Sequence, residues 1–136
     1  AEDIQVNSYT AGEQYNSSVA GLPDGGWVVV WDSDGQNGFA HGVYGQVYNA
    51  DGSVEGAEFQ IHTIAPGFWG APVVTGLIDG GWVVTWHTYG QDGASLGITA
   101  QAYDADGTTQ GAQVQVNDYA AYWQGNNAIT GLSDGG

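Results

Sequence analysis

The chain has 136 residues and a formal net charge of −15, because it carries 15 carboxylates and neither Lys nor Arg. Nucleic-acid binding and phosphate clamps depend on Lys and Arg, so both are excluded, and an anionic membrane surface would repel the chain. With no Cys there are no disulfides or thiolate metal sites, and the sequence has no run of about 18 apolar residues that would insert into a membrane.

Glycine is spread along the whole chain, which contains 24 of these residues. Gly costs a helix up to about 1 kcal/mol relative to Ala. Asp-Gly pairs between short apolar runs are instead typical of β-hairpins. The sequence therefore predicts an all-β fold.

A hexapeptide recurs at a fixed interval. It reads GLPDGG from Gly21, GLIDGG from Gly76 and GLSDGG from Gly131, in steps of 55 residues. Such a period indicates one supersecondary unit that is repeated. We divide the chain into a half repeat (1–26) and two full repeats (27–81 and 82–136), and expect one continuous repeat domain or a window of a longer array.

The stretch from residue 58 to residue 103, which crosses the boundary at 81/82, shows one set of the four predicted strands most clearly. Strand A covers 58–63, strand B 72–77, strand C 82–87 and strand D 98–103. Asp-Gly turns predict hairpins between B and C and between D and the next A, whereas C and D are joined by a longer loop. Each unit is thus expected to form a four-stranded antiparallel meander.

The strands differ in where their apolar residues lie. Strand C is apolar on both faces (WVVVW from Trp27), strand B is small and apolar, and strand A alternates with Phe59 and Ile61 inward and His62 outward. A small inner strand, a doubly covered strand and a polar outer strand are typical of β-propeller blades. A linear array of small β-modules is the alternative.

Two predicted strands lack their partners within the sequence. Strand B of the third repeat, at 128–132, has no strand C, and the segment 1–10 supplies an unmatched strand A. Because unpaired strand edges attract other chains, we expect homotypic head-to-tail assembly, as a closed ring or a filament.

The loop after the first strand C carries oxygen ligands at alternating positions, namely Asp32, Asp34 and Asn37. Carboxylate and amide oxygens around a tight loop suit Ca²⁺. The competing interpretation is that these residues only form turns, as Asp and Asn do readily.

The remaining polar residues do not indicate an enzyme. Asp24, Asp79 and Asp134 recur at one turn position, where turn chemistry explains them. The three His residues fall at three different points of the repeat, which matches neither a catalytic triad nor a metal-ligand spacing. We expect them to be solvent-facing or hydrogen-bonded.

The aromatic residues form two groups. Trp27, Trp31, Trp82 and Trp86 lie on strand C and are predicted core residues. Phe68, Trp69, Tyr122 and Trp123 lie in the Gly-rich loops between strands A and B. Loop aromatics can stack on sugar rings, so they are candidate carbohydrate-binding residues, with a protein contact or plain loop packing as alternatives.

The strings V-x-G-L-x-D-G-G-W-V-V-x-W, G-Q-(N/D)-G and Q-x-Y-(N/D)-A-D-G span the repeats. They resemble the tandem repeats of very large secreted bacterial surface proteins and adhesins of the RTX-like, haemolysin type. The calcium-binding nonapeptides of such proteins are absent from this sequence. The resemblance implies an extracellular or cell-surface location and a structural or adhesive role without catalysis. A carbohydrate-binding, lectin-like propeller is the alternative function.

Overall fold

The computed structural model describes residues 2–38, 41–64, 70–89, 96–118 and 125–136. These residues form two four-stranded antiparallel sheets and no helix, which confirms the all-β prediction, and none of them forms a helix that could cross a membrane. Sheet 1 contains β1 (Gln14–Gly21), β2 (Trp27–Asp34), β3 (His41–Tyr48) and β4 (Val54–Ile64). Sheet 2 contains β5 (Val73–Gly76), β6 (Trp82–Tyr89), β7 (Leu96–Tyr103) and β8 (Thr109–Gln115).

Both sheets are meanders in which the strands follow one another in chain order. Each sheet combines strand B of one repeat with strands C, D and A of the following repeat. The sheets therefore span 14–64 and 73–115, whereas the repeat boundaries at 26/27 and 81/82 lie in the β1–β2 and β5–β6 turns.

The Gly-Leu-x-Asp-Gly-Gly turn has the same hydrogen bonds in both hairpins. The amide of Leu22 donates to the carbonyl of Gly26 at 2.8 Å, and the corresponding Leu77 bond is also 2.8 Å. Asp24 accepts from the amide of Gly26 at 2.8 Å, as Asp79 does from that of Gly81 at 3.0 Å. These carboxylates are turn formers, as predicted.

Three details of the strand prediction are wrong. β2 continues to Asp34, because Asp32, Ser33 and Asp34 pair with β3 opposite Val43, Gly42 and His41. The expected strands in 1–10 and at 128–132 are absent, since residues 2–13 and 125–136 belong to no strand. A strand needs a ladder partner, and neither segment has one among the described residues.

The hydrophobic core lies between the two sheets. Val28 and Val30 of β2 are fully buried and belong to one cluster with Trp82, Val84 and Trp86 of β6. Of the four predicted core Trp residues, three are buried and Trp27 is half-buried. The two sheets thus stack face to face across strand C of each repeat.

Strand β4 forms the outer edge of sheet 1, and a register shift against β3 changes its facing pattern. The pairing passes from Val43 opposite His62 to Tyr44 opposite Gln60, so that Ile61 is the extra residue. Ile61 is buried, as predicted, but the ring of His62 lies 5.4 Å from that of Trp86 instead of facing outward. The shift breaks strict alternation, which the sequence pattern did not reveal.

The inner strands of successive repeats approach one another at glycines. A side chain at Gly76 would collide with the carbonyl oxygen of Gly21, and one at Gly131 would lie 2.5 Å from the carbonyl oxygen of Gly76. The hydroxyl of Ser18 also accepts from the amide of Val74 at 3.2 Å. The first Gly of the second and third hexapeptides, Gly76 and Gly131, therefore permits close packing of inner strands.

Candidate functional site

A cleft of about 360 Å³ lies at the beginning of the inner strands. It is lined by residues 16–18, 71–73 and 126–127 together with His87. The first three segments are equivalent positions of three repeats, 55 residues apart. We call this feature the strand-start cleft.

The first lining residue of each segment has a left-handed backbone. The φ angles are 52° at Asn16, 42° at Ala71 and 60° at Asn126. Asn tolerates this conformation better than most residues, whereas an ordinary L-residue is disfavoured there by about 1–2 kcal/mol. The same bend therefore recurs in three repeats, and Ala71 occupies it under strain.

Asp32 joins the two sheets beside the cleft. Its carboxylate is fully buried and accepts hydrogen bonds from the amides of Gly70 and Ala71, both at 3.0 Å. The side-chain amide of Asn16 donates a third bond at 2.8 Å. Burial raises the pKa of Asp32 above its usual value, and these hydrogen bonds oppose that shift.

His87 occupies the repeat position that Asp32 holds in the first repeat. Its side chain is only 8% exposed, and its Nε2 atom has no hydrogen-bond partner among the described residues. The expectation of a solvent-facing or hydrogen-bonded His is therefore not met at Nε2 of this residue. Burial lowers the pKa of His87, while the Asp32 charge raises it.

The predicted calcium ligands Asp32 and Asp34 make other contacts in the structure. Asp32 is committed to the sheet junction, and the Asp34 carboxylate lies 3.7 Å from Nδ1 of His41. Asn37 is exposed. No group of three or more His, Asp or Glu residues that could hold a metal occurs in the described ranges, and calcium binding stays a prediction.

A second cleft, of about 350 Å³, separates residues 4–7 from β1 and β2. Trp31 lines this cleft, and its indole nitrogen has no hydrogen-bond partner within the described chain. The tyrosine hydroxyl of Tyr48 donates to the carbonyl of Val6 at 3.4 Å, which ties the N-terminal segment to sheet 1. This cleft lies on the face of sheet 1 that sheet 2 does not cover.

The predicted carbohydrate-binding aromatics, Phe68, Trp69, Tyr122 and Trp123, lie outside the described residues. The strand-start cleft instead contains Asn16, Asn126 and Asn127, which the sequence analysis did not single out. A signal for them existed, since two of three repeats carry Asn at the position that becomes left-handed. Asn is the residue that most often replaces Gly in that conformation.

Comparison with known proteins yields no relative: no protein-family model, no curated protein and no solved structure matches this chain.

Proposed function

We propose that this chain is a non-enzymatic structural and adhesive repeat module of secreted or cell-surface proteins, in which propeller-like blades stack face to face and associate with further copies. The observation that carries the proposal is that some apolar residues that are buried in sheet 2 have exposed equivalents in sheet 1. Val74 is 6% exposed, whereas Val19, one repeat earlier, is 64% exposed.

The same contrast holds for two of the three residues on this face of strand C, the exception being Trp31, which is 3% exposed. Trp82 and Val84 are fully buried beneath sheet 1, but their equivalents Trp27 and Val29 are only half-buried. Burying an apolar side chain contributes about 1.5–3 kcal/mol. This face of sheet 1 therefore has the apolar composition of an interface between two blades, although no second sheet covers it.

The opposite end of the stack offers a matching surface. Val114 and Val116 of the last repeat are 61% and 56% exposed, and they correspond to Phe59 and Ile61, which pack between the sheets. Because the two open faces differ, contacts between copies would be head-to-tail. If each copy binds other copies through both of these faces, the copies would adhere to one another without a further ligand.

The turn carboxylates support the absence of catalysis, since Asp24 and Asp79 have the same bonds in the same turns. A catalytic pair needs two carboxylates in different environments. The location outside the cell rests on the resemblance of the repeat strings alone.

Sedimentation velocity across a salt series tests the proposal. At −15 per copy the chains repel, so the mean mass should rise from low to high salt as the charges are screened. Val19→Glu should abolish this rise. Val54→Glu is the control, because Val54 is 60% exposed but corresponds to Thr109, so its repeat position is not reserved for an apolar contact.

A compact monomer at every salt concentration would refute self-association. Equal loss of assembly in both variants would mean that added charge, and not the face around Val19, is responsible.

A further inference from the structure

The strand-start cleft combines one apolar wall with two polar walls. The second repeat contributes Ala71, Pro72 and Val73, whereas the first and third contribute Asn and Ser side chains. Its volume of about 360 Å³ falls within the range of small-ligand sites, about 300–1,000 Å³. The cleft thus offers hydrogen bonds on two sides and an apolar surface on the third.

The charge of the site limits the class of ligand. No Lys or Arg exists in the chain, and the net charge of −15 repels anions. A cation would need carboxylate oxygens, but no Asp or Glu among the described residues lines the cleft, and the nearby Asp32 already accepts three hydrogen bonds. The ligand that fits is neutral.

The polar groups of the cleft both donate and accept hydrogen bonds. Asn126 carries a complete side-chain amide into the lining, and Ser17 adds a hydroxyl. Nε2 of the buried His87 is unpartnered, although a buried polar atom without a partner costs about 1–3 kcal/mol. This atom has almost no solvent-accessible area in the structure, so a ligand hydroxyl could pair with it, as donor or as acceptor, only after the imidazole ring moves towards the cleft.

We propose that the strand-start cleft binds one unit of a neutral saccharide, with its apolar ring face on residues 71–73 and its hydroxyls towards Asn126, Asn127 and His87. A pyranose ring has both surfaces, a C–H face and a hydroxyl rim. This inference goes beyond the proposed structural role and names residues other than the loop aromatics. It is also independent of self-association, since it concerns the monomer at low salt.

The test is a ¹⁵N NMR titration of the monomer with methyl glycosides of glucose, galactose, mannose and N-acetylglucosamine. At least one should shift the amide signals of 16–18, 71–73 and 126–127 in a saturable manner. Methyl glucuronide, which differs from methyl glucoside by a carboxylate, should bind at least about tenfold more weakly. Glycerol, which has hydroxyls but no ring, should not saturate the site.

Variants identify the groups that bind. Asn126→Gly keeps the left-handed backbone and removes the amide, so affinity should fall by about 3- to 10-fold, the equivalent of one hydrogen bond. His87→Leu should weaken binding to a similar extent. Asn49→Gly in the β3–β4 turn removes an exposed amide elsewhere and should leave the affinity unchanged.

The proposal is overturned if none of the neutral glycosides shifts the cleft signals at tens of millimolar, or if glycerol binds as tightly. It is also overturned if Asn126→Gly and His87→Leu, both shown to be folded by their spectra, bind as the unmodified chain does.

Discussion

At the scale of single residues, one buried carboxylate connects the sheets. Asp32 lies near the end of β2 and accepts hydrogen bonds from the amides of Gly70 and Ala71, which immediately precede the inner strand β5. Three hydrogen bonds and the charge of His41 oppose the cost of burying this carboxylate. Residue 32 therefore fixes where the second repeat starts against the first.

Removing this carboxylate should be costly. Asp32→Ala leaves two backbone amides without an acceptor, at about 1–3 kcal/mol each, so we expect a loss of about 2–4 kcal/mol in the free energy of unfolding, measured by urea denaturation. Asp34→Ala on the same strand is the control. Asp34 is half-exposed and should change stability by less than about 0.5 kcal/mol. Equal losses of unfolding free energy in the two variants would show that Asp32 does not connect the sheets.

Two buried imidazoles predict how stability depends on pH. Burial holds the pKa of His62 and His87 below the ordinary value of 6.5. As the pH falls through 6.5, the unfolded chain takes up protons before the folded chain does, so the free energy of unfolding decreases. Asp32 acts in the opposite sense: its raised pKa gives stability that is present below 3.8 and lost as the pH rises through the raised value.

We therefore expect the melting temperature to fall between pH 7 and pH 5.5, and the double variant His62→Gln/His87→Gln to lose most of this dependence. Scanning calorimetry at several pH values would measure it. An unchanged slope in the double variant would contradict the assignment to these two residues.

At the scale of the strands, the inner-strand glycines differ in their surroundings although they occupy one repeat position. A side chain at Gly76 would meet the carbonyl of Gly21, whereas the same position at Gly21 has open space. Gly76→Ala should therefore cost about 1–3 kcal/mol through overpacking against backbone. Gly21→Ala should cost little, and the difference between their urea midpoints is the measurement. Equal midpoints would mean that the inner strands do not pack closely.

The strand content could be predicted from sequence because turns and alternation are local signals. The predicted turns at Asp24 and Asp79 are confirmed by the hydrogen bonds that these carboxylates accept. The order of the strands in each sheet follows from the hairpins. The inward orientation of His62 could not be predicted, because it depends on a register shift between β3 and β4. The hydrogen bonds of Asp32 could not be predicted either, because its partners Gly70 and Ala71 lie 38 and 39 positions further along the chain. Such contacts exist only once the sheets are stacked.

The strand-start cleft was missed for the same reason. Asn16, Ala71 and Asn126 lie far apart in the sequence. They line one cleft only because the three repeats pack against one another. Equal spacing was visible, but a spacing of 55 residues does not show which repeat positions face each other. The candidate site therefore required the packing of inner strands.

At the scale of the whole molecule, the core belongs to neither sheet alone. The buried cluster draws Val28, Val30 and Ile61 from sheet 1 and Val74 and Val84 from sheet 2. A single sheet would expose one side of this cluster to water, at about 25 cal/mol for each Å² of apolar surface. The two sheets should consequently unfold together, in one transition observed equally by circular dichroism and by Trp fluorescence.

A matched pair of Trp variants tests this dependence on stacking. Trp82 is fully buried, stacks on Tyr103 with ring centroids 3.9 Å apart and lies 5.7 Å from Phe59 of sheet 1. Trp27, at the same repeat position, stacks on Tyr48 at 5.4 Å and remains half-buried because no sheet covers it. Trp82→Ala should cost about 3–5 kcal/mol, and Trp27→Ala distinctly less. Both transitions should stay single, since loss of the interface unfolds both sheets. If the two variants lose equal stability, or if Trp82→Ala leaves sheet 1 folded in a separate transition, then each sheet is stable by itself and stacking is not what holds this molecule together.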